Sequence, residues 1–351
     1  MLANAGARVS PAPGPLGGSH HNRPVRYLDL DGRRLSRVGL GCGQLGERQW
    51  GYGTSYSQAD CLAIVQRALD LGVTVFDTAE LYGSGRSEML VGEALSSWAG
   101  ERFLATKFLP IMPTPRVMVA HCERSLDRLR VPLVDLYQIN WTNPIVPLVR
   151  QMEGLRRVLA LGMSRYAGVS NFSLRRWIAA ERHLGQPVIS NQVRYNLLQR
   201  EPESGLLEYA RQNSRLIFAF SPLAQGALGG HYHPGRAPGD LRRGNALFTE
   251  VALTAAAPLL GMLHEIADGH GCAPSQVALA YLLAQPQVIV IPGAKSIEQL
   301  ESNVAAAELE LSDDELLALR RGAEIFHFSR SRAVAQLAAR LLPSRQHQVG
   351  A

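Results

Sequence analysis

The spacing of apolar positions changes again and again along the chain. Short runs of β-branched and aromatic residues fall at Val73–Phe76, Arg102–Thr106, Leu133–Ile139, Tyr166–Val169, Val188–Gln192, Leu216–Phe220 and Val288–Ile291. Among them lie stretches with apolar residues three and four apart: Ala59–Leu71, Ser87–Ser97, Arg116–Arg130, Val146–Leu161, Leu174–Leu184 and Ser275–Ala284. The first pattern predicts strands and the second amphipathic helices. A further strand ending near Gly41 brings the expected strands to eight. Alternation of strand and helix predicts a parallel sheet. Eight such units in about 280 residues suit a closed α/β barrel, the (β/α)8 TIM barrel, better than an open sheet.

The ends of the chain break this rhythm. Residues 1–24 are rich in Pro and Gly and read as a disordered leader. Arg26–Leu35 reads as a β-hairpin turning at Asp31-Gly32. Residues 25–322 are expected to form the barrel and 323–351 a tail. Ala333–Leu342 within that tail reads as an extra amphipathic helix that packs on the barrel or offers a contact surface for an oligomer.

Composition narrows the class. The 351 residues are 46% hydrophobic and 19% charged, enough to bury a large core. The net charge of +6 is spread over separated pairs such as Arg33-Arg34, Arg156-Arg157 and Arg242-Arg243. A nucleic-acid binder concentrates its charge on one element, so no nucleic-acid partner is expected. The longest low-polarity run, Val251–Leu263, is shorter than the ~18–20 residues of a bilayer span, so no membrane span is expected. The first residues lack an apolar signal core, and four scattered cysteines form no CxxC pair. A cytoplasmic location is the expectation.

Only two of the 36 Lys and Arg residues are lysine, Lys107 and Lys295. Arginine serves a solvated surface as well as lysine, but not a site that needs a compact ammonium. Both lysines fall just past predicted strands, where a barrel keeps its chemistry. So do Gly41-Cys42-Gly43, Asp77, Asn140-Trp141, Ser170-Asn171, Gln192, Phe220-Ser221-Pro222 and Gly293-Ala294. Gly41–Gly46 matches G-x-G-x-x-G, but a loop follows instead of a helix, and the next strand-end acid, Asp77, comes too late for a Rossmann unit. His231-Tyr-His233 lacks a third ligand, and no G-x-S-x-G elbow exists, so no metal is expected.

The segment Phe76-Asp-Thr-Ala-Glu-Leu-Tyr-Gly-Ser-Gly-Arg-Ser-Glu-Met-Leu-Val-Gly-Glu-Ala-Leu95 runs from a strand-end acid through Tyr82 into a helix, with Ser87 the expected N-cap. It resembles the aldo-keto reductase signature. The resemblance continues through Thr106-Lys107, Gly168–Phe172, Asn191–Asn196, Phe220–Gly226 and Ile291–Ser296, in the family's order. It implies a barrel that binds NADPH (or NADP+) and passes a hydride to a carbonyl carbon. Tyr82 then matches the general acid, with Lys107 lowering its pKa toward neutrality and Asp77 pairing with Lys107. Ser170, Asn171 and Gln192 match the residues that hold the carboxamide, and Phe220 the aromatic under the nicotinamide. Gly41 and Cys42 fall in the cofactor-binding set. Ser221, Leu223, Gln225 and Gly226 match the pyrophosphate loop. Gly293, Ala294, Lys295, Ser296, Gln299 and Asn303 match the adenosine 2′-phosphate site, where a lysine beside a helix N-terminus suits a phosphate.

The family's usual histidine after the fourth strand is here Asn140. An asparagine donates a hydrogen bond but carries no proton. Trp50, Tyr52 and Trp141 are expected at the substrate pocket, or else as rim packing. The resemblance implies reduction of an aldehyde, ketone or keto-sugar. A cofactor-binding regulatory or partner subunit, or a redox-neutral biosynthetic step, is the alternative.

Overall fold

In the computed structural model, Arg8–Val9 and residues 26–341 are described. Apart from Arg8–Val9, the leader lies outside them, as does the end of the tail. Arg8–Val9 (β1) pairs antiparallel with Tyr27–Leu30 (β2), which turns at Asp31-Gly32 into Arg33–Ser36 (β3). Eight parallel strands follow: Leu40–Gly41 (β4), Val75–Asp77 (β5), Phe103–Phe108 (β6), Val134–Ile139 (β7), Ser164–Ser170 (β8), Val188–Arg194 (β9), Leu216–Phe220 (β10) and Val288–Val290 (β11). Each pairs with the next in sequence. The circle closes where Gly39 N donates to Val290 O and Gly41 N to Pro292 O. At Gly41 the two edges approach so closely that a Cβ would sit 2.5 Å from Ile291 O, which only glycine avoids.

The helices run Gln58–Asp70 (α1), Arg86–Leu95 (α2), Pro115–Leu129 (α3), Leu148–Ala160 (α4), Leu174–Leu184 (α5), Leu206–Gln212 (α6), Glu250–His270 (α7), Pro274–Leu283 (α8), Ile297–Ala305 (α9), Asp313–Ile325 (α10) and Arg330–Leu341 (α11). Several start on side-chain caps: Ser57, Thr114, Ser173 and Thr249 each accept from a backbone N–H of the first turn. α7 is longer than the apolar run in the sequence. Its 21 residues are enough to cross a bilayer by length and composition. Its residues Ala252, Leu253, Ala256, Leu259, Leu260, Leu263 and Ala267 instead form a buried stripe at helical spacing.

Two apolar clusters divide the interior. The larger fills the space between strands and helices. The smaller lies inside the barrel and joins Leu28, Leu30 and Leu35 of the hairpin to Val75, Phe103, Ala105, Leu136, Leu216, Phe218 and Ile289. The hairpin therefore plugs the end from which the strands start, and the site is left to the other end.

Candidate active site

Strand alternation sends every second residue inward. On β5 the inward series is Val75 and Asp77, on β6 Phe103, Ala105 and Lys107, and on β10 Leu216, Phe218 and Phe220. The lower members are apolar and the uppermost is functional. β9 needs a correction to its register: Ala167 pairs with Val188 and Gly168 with Ser190, so Ile189 is the extra residue of a β-bulge. That bulge shifts the alternation by one and brings Gln192 to face Asp77.

Lys107 Nζ donates to Asp77 Oδ2 at 2.7 Å, to the Thr78 carbonyl at 2.8 Å and to the Tyr82 hydroxyl at 3.3 Å. Gln192 Nε2 donates to the other Asp77 oxygen at 2.7 Å, and Gln138 Nε2 reaches it at 3.4 Å. Lys107 and Asp77 are both buried. Burial pulls the Lys107 ammonium down, but Asp77, with help from Tyr82, overcomes it and holds the group above its ordinary range. For Tyr82 the balance runs the other way. Burial raises the phenol, and the opposing pull of Lys107 does not overcome it. The expected lowering toward neutrality is therefore not found: burial holds the phenol above its ordinary range, and its oxygen accepts from the Lys107 ammonium.

Asn140 directly follows β7 and is buried; Asn171 Nδ2 donates to its backbone carbonyl at 3.1 Å and contacts Ser170 Oγ at 3.0 Å. Asn171 holds a positive φ of 59°, a conformation that asparagine tolerates better than most residues. Gln192 thus stands against the Asp77 carboxylate that Lys107 pairs with, while Ser170 and Asn171 gather at the Asn140 carbonyl.

From Tyr82 a cleft of about 780 Å³ runs past Phe220, Ser221, Leu223, Gln225 and Gly226 to Gly293, Lys295, Gln299 and Asn303. Its far end lies at the N-terminus of α9, where Ser296 caps the helix by accepting from Gln299 N and Gln299 Oε1 accepts from Lys295 N. Lys295 forms no ion pair among the described residues; the carboxyl of nearby Asp240 is held down chiefly by its hydrogen bonds to Arg242, with the Lys295 charge a lesser contribution. A cation at a helix N-terminus is a phosphate-binding chemistry. The segment 224–249 forms one wall. Within it Arg242 Nη1 donates to Gln225 O at 3.0 Å and Asn245 Nδ2 to Gln225 Oε1 at 2.9 Å. The Arg242 guanidinium also lies 5.8 Å from the Trp50 ring across the cleft and 5.3 Å from Tyr232.

Many residues singled out in the sequence line this cleft, Trp50 among them, and Lys107 lies buried against its lining residues Asp77 and Tyr82. Asn140, Ser170, Asn171, Gln192, Ser296, Cys42, Tyr52, Trp141 and Ala294 do not line it. The Cys42 side chain is sealed in the core, where burial pushes its thiol up, and its carbonyl accepts from Ser87 Oγ. Tyr52 packs edge-on against Tyr56, 5.6 Å from the Arg86 guanidinium. Trp141 is 41% exposed. Ala294 is buried beneath the cleft floor. Ser87 is not the N-cap of α2: Gly85 holds that position, and Ser87 is buried in the first turn against Thr78 and Cys42. Sequence reasoning passed over Gln138, which lies two residues before Asn140 on the same face of β7. Strict alternation along that strand would have found it. No group of three or more potential metal ligands occurs among the described residues.

Residues 37–323 match the model of the aldo/keto reductase family. The chain belongs to that family. It is 46% identical to an uncharacterized oxidoreductase of Mycobacterium tuberculosis over 303 residues, which is 86% of this chain and 94% of the relative. An aldo/keto reductase from Klebsiella pneumoniae, solved with NADP and acetate, superposes with a TM-score of 0.66 at 31% identity, covering 82% of this chain and 91% of that one. The glycerol dehydrogenase of Gluconobacter oxydans gives a TM-score of 0.77 at 27% identity, covering 86% and 95%.

Proposed function

We propose that this aldo/keto reductase reduces the carbonyl of a small aldehyde, ketone or keto-sugar to the alcohol, using NADPH. The observation that carries the reading is the chain Asp77–Lys107–Tyr82 at the floor of the cleft. NADPH, when bound, supplies the hydride for the carbonyl carbon. The cleft fits such a molecule on its own chemistry: Tyr82 and the Phe220 ring at one end, a polar loop from Ser221 to Gly226, and an ammonium at a helix N-terminus at the other. Ser170, Asn171 and Gln192 would hold the carboxamide, Ser221 to Gly226 the pyrophosphate side, and Lys295 with Ser296 the 2′-phosphate.

The protein's own part is proton delivery. Tyr82, protonated at neutral pH, donates its phenolic proton to the carbonyl oxygen as charge develops there. Lys107 stabilises the phenolate left behind, and Asp77 fixes the lysine in place. Asn140 offers a side-chain N–H to the same oxygen and transfers no proton, so Tyr82 is the only acid. A partner subunit without catalysis would not need all three charged and phenolic groups in contact.

The test is loss of NADPH absorbance with a panel of aldehydes, ketones and keto-sugars. Turnover that falls by about 10³-fold or more in Tyr82→Phe is expected, in line with removal of a general acid. NADPH binding without turnover on any carbonyl would overturn the reading.

A further inference from the structure

The C-terminal helix α11 reaches the cleft through the segment 224–249. Along one face of α11, at helical spacing, lie Ala333, Gln336 and Arg340. Ala333 is fully buried. Gln336 Oε1 accepts from Val251 N at 3.3 Å, satisfying a first-turn donor of α7 that has no partner within its own helix. Arg340 donates from Nη1 to Arg243 O at 2.9 Å and from Nη2 to Phe248 O at 3.0 Å. One guanidinium thus bridges two carbonyls five residues apart. Inside that bridged stretch lies Asn245, and directly before it Arg242, the two residues that hold Gln225 against the cleft. The inner side of the segment faces the cleft and the outer side is pinned by α11.

We infer that α11 is part of the cofactor-holding apparatus: Arg340, assisted by Gln336, is a positioning residue that keeps the segment 240–249 closed over the cleft and so slows release of the dinucleotide. The inference rests on reading the cleft as a dinucleotide site. Arg340 touches neither cofactor nor substrate and acts through Arg242, Asn245 and Gln225. The opposite face of α11, with Val334 exposed, takes no part.

The experiment measures NADPH binding by calorimetry and amide hydrogen exchange of 240–249 in the cofactor-free protein. The variants are Arg340→Ala, Gln336→Ala and Val334→Ser in the full chain. Losing two charge-assisted hydrogen bonds at a half-buried site weakens NADPH binding by about tenfold in Arg340→Ala. Gln336→Ala weakens it about two- to threefold, as for one longer neutral bond. Exchange across 240–249 accelerates in both, while Val334→Ser matches the wild type. Single-turnover reduction at saturating NADPH and the KM for the carbonyl stay at wild-type values, which a general loss of structure would not allow. NADPH affinity within twofold of wild type together with unchanged exchange in both variants would overturn the proposal. Should Arg340→Ala not fold, Gln336→Ala carries the test. A wild-type protein that binds no NADPH, with exchange still raised in the variants, would sink the dinucleotide reading and leave the clamp standing.

Discussion

The two ends of the barrel are made by the same strands with the same alternation, yet their inward residues differ completely. At the lower end Phe103, Leu136, Leu216 and Phe218 meet the hairpin leucines in an apolar plug. One or two steps further up the same strands stand Lys107, Gln138 and Phe220, with Lys107 in a buried ion pair with Asp77 and Gln138 against the same carboxylate. The lower end contributes stability through burial. The upper end carries charges whose desolvation is only offset while every partner is present. Changes at one end should therefore alter folding and at the other chemistry, with the ion pair the place where both respond together.

That pair gives the largest expected effect. Lys107→Met leaves Asp77 buried without its cation, and unfolding by denaturant should show a loss of about 3–5 kcal/mol along with loss of turnover. Adding Asp77→Asn in the same chain should restore most of that stability and none of the activity. Recovery of turnover in the double variant would break the division. At the lower end, Leu28→Ala empties part of the plug and should cost about 2–4 kcal/mol, with kcat/KM at 25 °C unchanged. A change in kcat/KM there would mean that the plug communicates with the cleft.

Lys295→Met should raise the KM for NADPH about 10- to 100-fold, as expected for one charge-assisted phosphate contact, and leave NADH almost untouched. Equal loss with both cofactors would move the phosphate site elsewhere. The smallest effect concerns pH. A phenol held above its ordinary range keeps its proton below that range, so carbonyl reduction should stay level from pH 6 to about 9. The reverse reaction needs the phenolate and should climb with pH over the same interval. A reduction rate that falls through pH 7–8 would contradict the upward push that burial exerts on Tyr82.

The barrel was legible because period two and period 3.6 succeed one another without interruption, and helix bounds from Gln58 to Leu184 fall within one or two residues of expectation. The floor of the site was legible because strand ends are where a barrel's side chains converge. Other features depend on tertiary context. Ser87 reads as a cap by its type, but Gly85 with its positive φ ends the preceding turn and pushes Ser87 inside. The pKa direction of Tyr82 depends on how deeply the phenol is packed, which residue types do not reveal. The link from Arg340 to Arg243 and Phe248 joins side chain to backbone across the chain, and backbone carbonyls leave no trace in sequence. α6, at seven residues, is too short for its periodicity to stand out.

The hairpin plug has a consequence for how the molecule is made. Leu28, Leu30 and Leu35 leave the ribosome early, yet their packing partners include Ile289 and Ile291, near the far end of the chain. Their docking surface is not complete until the last strand has joined the ring. These early-synthesised leucines are thus among the last to be sheltered, and growing chains carry them uncovered through most of translation.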